Sequence, residues 1–193
     1  MYRFTFQNGG TGIYIGGIGS TASRNIVTDN IFLNRSAGVD IFYGDPFKPE
    51  FTDYGYNIIV NNVISYTKFY GIRIVDGRNN LVAGNKISPA DNYINSYGYG
   101  FGIDVSGAYN NISYNNVSNN YQFGIVIGGS YKNEIFRNTI EKNGMYGLVI
   151  ESGSADRITQ NNFIGNRRSA GFEQQIKYYP KAQILRYPFL PCL

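Results

Sequence analysis

The sequence predicts an all-β solenoid, a stack of short-strand coils that runs through most of the 193 residues. Two interleaved repeats lead to this prediction. The first is a glycine followed by aliphatic-x-aliphatic, and the second reads polar-x-aliphatic-x-x-Asn-x-aliphatic-x-x-Asn. Alternation with a period of two is typical of strands with one buried face. No segment keeps a helical period long enough to compete with this interpretation.

The first repeat marks one strand in each coil, with Ile13 and Ile15 predicted inside and Tyr14 outside. Successive copies start 26, 33, 31, 22 and 23 residues apart. A degraded seventh copy is Gly171–Gln174. The six clear copies are Gly12–Ile15, Gly38–Ile41, Gly71–Ile74, Gly102–Val105, Gly124–Ile127 and Gly147–Ile150.

The second repeat places asparagines at the corners between strands, where their amides tolerate unusual backbone angles. Corner amides stacked about 4.8 Å apart can form side-chain hydrogen-bond ladders. A single coil cannot bury its aliphatic row, so its neighbours must bury it. The clearest copies run from Asn110 to Asn120, from Asn133 to Asn143 and from Asp156 to Asn166.

A leucine-rich repeat has a similar period, but leucine is scarce here and the inward positions are mostly Ile and Val. The repeats resemble those of the pectate-lyase-like superfold, including the NosD-like and the carbohydrate-binding and sugar-hydrolase repeats, over about residues 12–174. This resemblance implies a right-handed parallel β-helix of about six to seven coils. It also implies polysaccharide ligands and a location outside the cell or at its surface.

The β-helix is expected to span residues 1–174, with insertions at 42–56 and 88–101 and a proline-containing tail at 175–193. Gln174 replaces an inward aliphatic residue, so the strand ladder is expected to stop there. The tail carries three prolines, which cannot donate to a sheet. The start has no recognisable cap, which predicts a fragment, a partner chain or self-association through the ends of the β-helix.

The composition excludes several kinds of site. With no histidine and one cysteine, this sequence supplies no Ser-His-Asp triad, no histidine-bound metal and no thiolate cluster. The copper role associated with NosD-like proteins is therefore unsupported, because the two methionines are also isolated. The net charge of +4 permits an anionic partner, but no nucleic-acid reader motif is present. No apolar run is long enough for a membrane span, and no signal peptide is visible.

The outward position of the first repeat carries the candidate catalytic residues. If the register holds, Asp40, Arg73 and Asp104 form one row across three coils. The two carboxylates are then roughly 10 Å apart, slightly beyond the ~6.5–9.5 Å of an inverting glycosidase pair. Farther along, the same position holds Val126, Val149 and Glu173.

The two insertions flank this row and are rich in aromatic residues. One leaves the Asp40 strand and the other enters the Asp104 strand, so both are expected to wall the same face. Tyr43, Tyr97 and Tyr99, together with Arg73, are the predicted substrate-binding residues. The alternative is that these aromatic side chains pack on the coil without a binding role.

The first insertion also carries three acidic residues, Asp45, Glu50 and Asp53, whose oxygens are ligands suited to calcium. A solvated acidic loop is the alternative interpretation. No other cofactor is expected.

The sequence favours a non-catalytic β-helix that binds polysaccharide. The alternative is a polysaccharide-cleaving enzyme, a glycoside hydrolase or lyase, that uses Asp40 and Asp104. A guanidinium between two carboxylates would keep both ionised, whereas a general acid must hold a proton. The histidine motif of polygalacturonase-like hydrolases and the Arg and Asp motifs of pectate lyases are also missing. If Asp40, Arg73 and Asp104 neither bind a ligand nor act in catalysis, they form a cross-strand charge ladder that only stabilises the sheet.

Overall fold

The computed structural model is built from parallel β-strands, and the residues that it describes contain no helix. No helix in this part of the chain is therefore long and apolar enough to cross a membrane. The strands wind as a parallel β-helix, consistent with right-handed winding, so the predicted fold class is confirmed. The described residues are 3–17, 23–43, 55–89, 100–167, 176–178 and 183–184.

Each coil contributes up to three short strands, as the interleaved repeats predict. In chain order the strands of the described residues are β1 (Thr5–Gly9), β2 (Ile13–Gly17), β3 (Ile26–Thr28), β4 (Ile31–Arg35), β5 (Ala37–Tyr43), β6 (Ile58–Val60), β7 (Val63–Ser65), β8 (Tyr70–Arg78), β9 (Leu81–Ala83), β10 (Lys86–Ile87), β11 (Phe101–Ala108), β12 (Asn111–Ser113), β13 (Asn116–Ser118), β14 (Ile125–Tyr131), β15 (Glu134–Phe136), β16 (Thr139–Glu141), β17 (Leu148–Ile150), β18 (Gly153–Thr159), β19 (Asn162–Ile164), β20 (Ile176–Tyr178) and β21 (Gln183–Ile184).

The strands stack into three parallel faces. Among the described residues, sheet A has seven strands, one from each successive coil: β1, β4, β7, β10, β13, β16 and β19. Sheet B contains β2, β5, β8, β11, β14, β17 and β20, and sheet C contains β3, β6, β9, β12, β15 and β18. Because β18 pairs with both β14 and β15, sheets B and C are continuous at that coil. The first repeat forms sheet B, and the second forms sheets C and A.

The core is a column of aliphatic side chains inside the coils. Ile72 and Ile74 of β8 pair in register with Ile103 and Val105 of β11, and all four are at most 1% exposed. Burying one such side chain contributes about 1.5–3 kcal/mol. Stacking coils buries what no single coil can bury, which is why the aliphatic period persists along the chain.

Asparagine ladders join the coils at their corners, as predicted. The Asn115 backbone N–H and Nδ2 both donate to Oδ1 of Asn138, each at 2.9 Å, and Asn115 Nδ2 also donates to the Val82 carbonyl at 2.8 Å. One amide thus bonds the coil before it and the coil after it. The three ladders are Asn25, Asn57, Asn80, Asn110, Asn133 and Asp156; Asn30, Asn62, Asn85, Asn115, Asn138 and Asn161; and Asn120, Asn143 and Asn166.

The unusual backbone angles at these corners lie one residue earlier than the sequence suggested. The residue before a ladder asparagine adopts a left-handed conformation, with φ of 57° at Tyr109, 53° at Lys132 and 51° at Arg137. The ladder asparagine that follows has ordinary φ and turns its amide inward. A tight corner thus needs the left-handed residue, while the buried amide satisfies the main-chain groups that the corner leaves unpaired.

The glycine of the first repeat is required by close packing between coils. A Cβ on Gly102 would lie 2.3 Å from Val117 Cγ1 and 2.6 Å from the Gly124 carbonyl oxygen. A Cβ on Gly124 would meet Ile140 Cγ2 and the Gly147 carbonyl oxygen at 2.6 Å each. The glycines therefore form a column that lets sheet B approach sheet A.

The strand ladder extends beyond Gln174, where the sequence had placed its end. Residues 168–175 lie outside the described part of the chain, but β20 pairs with β17 in register. Ile176 aligns with Leu148 and Lys177 with Val149, so the repeat that continues sheet B is not Gly171–Gln174. Within the segment expected to form the tail, β21 also pairs with β18.

Replacing Asn138 by leucine should test the ladder. Asn138 Oδ1 accepts from the Asn115 backbone N–H, and Asn138 Nδ2 donates to the Ile112 carbonyl. Leucine has a similar size but leaves both main-chain groups without this partner, at ~1–3 kcal/mol each. We therefore expect the free energy of unfolding to fall by about 2–6 kcal/mol. Urea unfolding measures this change in the free energy of unfolding. The matched control is Asn162→Leu, an exposed position on β19, with an expected change within about 0.5 kcal/mol. Equal effects of the two substitutions would contradict the ladder's role.

Candidate functional site

The predicted row of outward side chains exists on sheet B. Strand pairing aligns Asp40 with Arg73, Arg73 with Asp104, and Asp104 with Val126. Tyr14 precedes Asp40 in the row, as expected. At the far end, the partner of Val149 is Lys177 and not the predicted Glu173, because the last repeat is shifted.

Asp40 and Arg73 form a closed ion pair. Arg73 Nε donates to Asp40 Oδ1 at 2.9 Å, and Arg73 Nη2 donates to Asp40 Oδ2 at 2.7 Å. The Asp40 residue is only 5% exposed, and the guanidinium carbon lies 4.8 Å from the centre of the Tyr70 ring. The hydrogen bonds with Asp40 raise the pKa of Arg73 although partial burial opposes them, so the cation is permanent. Asp40 is thereby committed to holding Arg73.

Asp104 has a different environment from Asp40, although both flank Arg73. Among the described residues it makes no ion pair, because the Arg73 fork points at Asp40. Burial, and then the negative charge of Glu151, raise the pKa of Asp104 to about 6, while Arg73 opposes this shift. The expectation that Arg73 would lower the pKa of both carboxylates is not met at Asp104, because burial and Glu151 outweigh Arg73. With a pKa of about 6, its side chain changes protonation state close to neutral pH, as a general acid or base does.

An aromatic ladder lies beside the charged row, on the outer face of sheet B. We define it as Tyr70, Phe101, Phe123 and Tyr146, one ring from each of four successive coils. The ring centres are separated by 5.8, 5.0 and 6.1 Å along the series. The rings pack over the outward-facing valines 126 and 149, which are 2% exposed, in a cluster separate from the core. Phe101 is buried, whereas the other three rings are half-buried and present part of their surface to solvent.

The sequence analysis missed this ladder, although the sequence carries a signal for it. Every member directly precedes the glycine of the first repeat, at Gly71, Gly102, Gly124 and Gly147. Parallel pairing places equal positions of successive coils side by side, as with Phe101 and Tyr70, so the residues before the glycines also stack. The signal is an aromatic residue repeated at one fixed position of the repeat, directly before the glycine.

Several predicted site residues lie outside what the structure describes. Tyr97 and Tyr99 are in the undescribed range 90–99, and Tyr43 ends β5 with only its backbone described. The candidate calcium ligands Asp45, Glu50 and Asp53 lie in the undescribed range 44–54. Within the described residues, no group of three or more His, Cys, Asp or Glu side chains is placed to hold a metal.

Comparison with known proteins shows a match to one family model and similarity to solved structures that share the fold. A family model described as "Periplasmic copper-binding protein (NosD)" matches residues 3–190. No curated protein matches the chain.

Two solved structures illustrate the shared fold. The periplasmic alginate epimerase AlgG is 15% identical, with a TM-score of 0.64, covering 91% of this chain and 48% of its own. The enzymatically active domain of Bacteriophage CBA120 tailspike protein 2 is 17% identical, with a TM-score of 0.56, covering 91% of this chain and 26% of its own. The chain therefore spans about half the length of the epimerase. At these identities the likeness establishes the fold.

Copper, which the family description names, does not fit the donor set of this chain. Copper sites in proteins use imidazole, thiolate and thioether ligands. The 193 residues contain no histidine, one cysteine and two methionines, and the cysteine and Met1 lie outside the described residues. The outer face of sheet B offers carboxylates, a guanidinium and aromatic rings, so copper has no part in the site described above.

The raised pKa of Asp104 predicts a pH-dependent effect of Asp104→Asn on stability. The folded state binds the carboxyl proton more tightly than the unfolded chain, so Asp104 destabilises the fold increasingly as the pH rises from about 4 to about 6. Asparagine removes this penalty. We expect the variant to melt at a higher temperature than the parent at pH 8, with little difference near pH 4. Asp76→Asn, at an exposed position on β8, controls for the loss of one negative charge. An equal shift at both pH values would contradict the assignment.

Proposed function

The chain belongs to the NosD family, and we propose that it is a carbohydrate-binding β-helix that holds a polysaccharide against the outer face of sheet B. The observation that carries this proposal is the aromatic ladder beside the row of Asp40, Arg73 and Asp104. The apolar C–H faces of sugar rings pack on aromatic rings, while carboxylates accept hydrogen bonds from sugar hydroxyls. The face combines both kinds of group on a rigid scaffold.

The length and order of the ladder suit a linear polymer. Four rings on adjacent coils span three strand spacings, roughly 14 Å in all. Three of these rings, Tyr70, Phe123 and Tyr146, present part of their surface to solvent, and the buried Phe101 packs between Tyr70 and Phe123. They therefore form an extended row, as repeat proteins generally do on their surfaces. A polymer with regularly spaced sugar rings matches such a row better than a compact small molecule.

The location that fits this role is the periplasm or the space outside the cell. The family is described as periplasmic, and AlgG is a periplasmic enzyme that acts on a polysaccharide. Association through the ends of the β-helix remains a separate prediction, and the glycan-binding proposal does not depend on it.

A polysaccharide-processing enzyme is the second candidate, and the raised pKa of Asp104 favours it. A carboxyl group with a pKa near 6 can donate a proton to a leaving glycosidic oxygen. Asp40 is not free to act as its partner, because both of its oxygens accept hydrogen bonds from Arg73. In this version Asp104 is the acid, and Asp40 holds the Arg73 guanidinium beside it.

Truncating one ring of the ladder should test the binding function. A glycan array identifies a ligand, and calorimetry then measures its affinity for the parent and for Phe123→Ala. We expect the affinity to fall roughly fivefold or more, because central aromatic anchors dominate such interfaces. Phe136→Ala is the matched control: this phenylalanine is also half-buried but lies on sheet C, where its ring packs on Tyr114. Equal losses in the two variants would place the ligand elsewhere.

Asp104→Asn distinguishes the two candidate functions. If the protein is an enzyme, the variant should release no new reducing sugar or unsaturated product from the array ligand. It should still bind that ligand, because the amide keeps the shape but cannot exchange the proton. A binding protein should release no product in either form. Product release by the variant at the parent's rate would exclude Asp104 as the acid.

A further inference from the structure

We propose that Asn8 is a deamidation site in the folded protein, whereas Asn143, which is also followed by glycine, is protected by its place in an asparagine ladder. Asn8–Gly9 and Asn143–Gly144 are the two Asn-Gly pairs of the sequence. Such a pair is prone to deamidation, because glycine has no side chain to hinder attack of its nitrogen on the preceding amide. This modification is independent of the proposed function.

The two pairs lie at the same corner of the coil, but one residue out of frame. Strand pairing aligns Phe6 of β1, coil by coil, with Ile140 of β16. Two residues farther along, Asn8 therefore matches Lys142, and both have the left-handed corner conformation, with φ of 55° and 52°. Asn143 occupies the next position, where the amide turns inward and joins the third ladder.

The side chain of Asn8 is exposed and forms no hydrogen bond within the described residues. It lies on β1, the first described strand of sheet A, which pairs there only with β4. The hydrogen bond that Asn8 does make uses its main-chain carbonyl, which accepts from Arg35 Nη1 at 2.8 Å. Its side-chain Cγ can therefore approach the Gly9 nitrogen without breaking any side-chain bond of the described residues.

The side chain of Asn143 is buried and bonded on both sides. Its Nδ2 donates to Asn166 Oδ1 at 2.8 Å and to the Val117 carbonyl at 3.2 Å. Its Oδ1 accepts from Asn120 Nδ2 at 2.8 Å. The Gly144 N–H, whose nitrogen would have to attack, donates to the Asn120 carbonyl at 2.8 Å. Reaction at Asn143 thus requires the corner to open first, so its rate is reduced by the small population of the open state.

The reaction at Asn8 needs water as its only co-reactant. The Gly9 nitrogen attacks Asn8 Cγ, the Cγ–Nδ2 bond breaks, and Nδ2 leaves as ammonia with the proton of the Gly9 N–H. The succinimide ring that forms is then opened by water at either of its carbonyls, which gives an aspartyl or an isoaspartyl linkage at position 8. The net change is from an amide to a carboxylate, and nothing is oxidised or reduced.

The new carboxylate forms beside Arg35. The Nη1 atom of Arg35, which bonds the Asn8 carbonyl, lies 3.6 Å from the position that a Cβ on Gly9 would take. Arg35 forms no ion pair within the described residues. The added negative charge therefore meets a cation at an exposed corner, where it costs the fold little. A carboxylate at position 143 would instead be buried within the ladder.

Peptide mass spectrometry of the full chain follows both sites. Trypsin leaves each asparagine alone in its peptide, residues 4–24 for Asn8 and residues 143–157 for Asn143. In mildly alkaline buffer the folded protein should deamidate at Asn8 at least about tenfold faster than at Asn143. In concentrated urea, where no corner is formed, the two rates should agree within about threefold.

Asn166→Ala gives a second measurement, because it removes the acceptor of both the Asn143 N–H and Nδ2. Deamidation at Asn143 should accelerate by at least about fivefold in this variant, with the rate at Asn8 unchanged. Asn162→Ala, at an exposed position on β19, is the matched control and should change neither rate. Circular dichroism establishes that both variants are folded.

Two results in the folded parent would overturn the proposal: equal rates at Asn8 and Asn143, or an Asn8 that stays intact in buffer although it reacts in urea. The protein modified at Asn8, separated by ion exchange, should keep the melting temperature of the parent. A lower melting temperature would overturn the part assigned to Arg35.

Discussion

Stacked asparagine amides fix where each coil sits on the next, and the rest of the structure depends on that register. The amide of Asn115 accepts from the main chain and side chain of Asn85, donates to the Val82 carbonyl, and donates onward to Asn138. These groups are buried, so a slip between coils would leave several polar atoms without partners. The aliphatic column alone would tolerate such a slip more easily, because hydrophobic contact has no direction.

Because the register is fixed, residues that recur in the sequence line up on the surface of the β-helix. Because every coil repeats the same geometry, residues at one position of the repeat become neighbours about one strand spacing apart. The glycine column leaves no room for a Cβ between the coils, and the residues that precede these glycines form the aromatic ladder. The Asp40–Arg73 pair and Asp104 belong to the next outward position, so rings and charges run side by side along sheet B.

Asp40 and Asp104 occupy the same position of the repeat but have opposite roles. Asp40 is paired, almost fully buried and holds Arg73 in place. Asp104 is largely buried, forms no ion pair among the described residues and lies within the field of Glu151, so its charged form is destabilised although Arg73 opposes this. Unfavourable electrostatics of this kind are commonly concentrated at functional sites, because they create a group that exchanges protons or contacts ligand near neutral pH.

The sequence by itself determined the coil, the inward Ile and Val positions, the corner asparagines and the alignment of Asp40, Arg73 and Asp104. Each follows from a periodic pattern, since the solenoid places equal positions of successive repeats side by side. The tertiary structure decided which aspartate Arg73 contacts, because a guanidinium between two equivalent carboxylates can form its two-pronged bond with only one. It also decided that Tyr70, Phe101, Phe123 and Tyr146 make one continuous ladder, that Glu151 reaches Asp104 from two coils away, and that Lys177 ends the row. These depend on side-chain directions and on distances between coils, which a linear pattern does not contain.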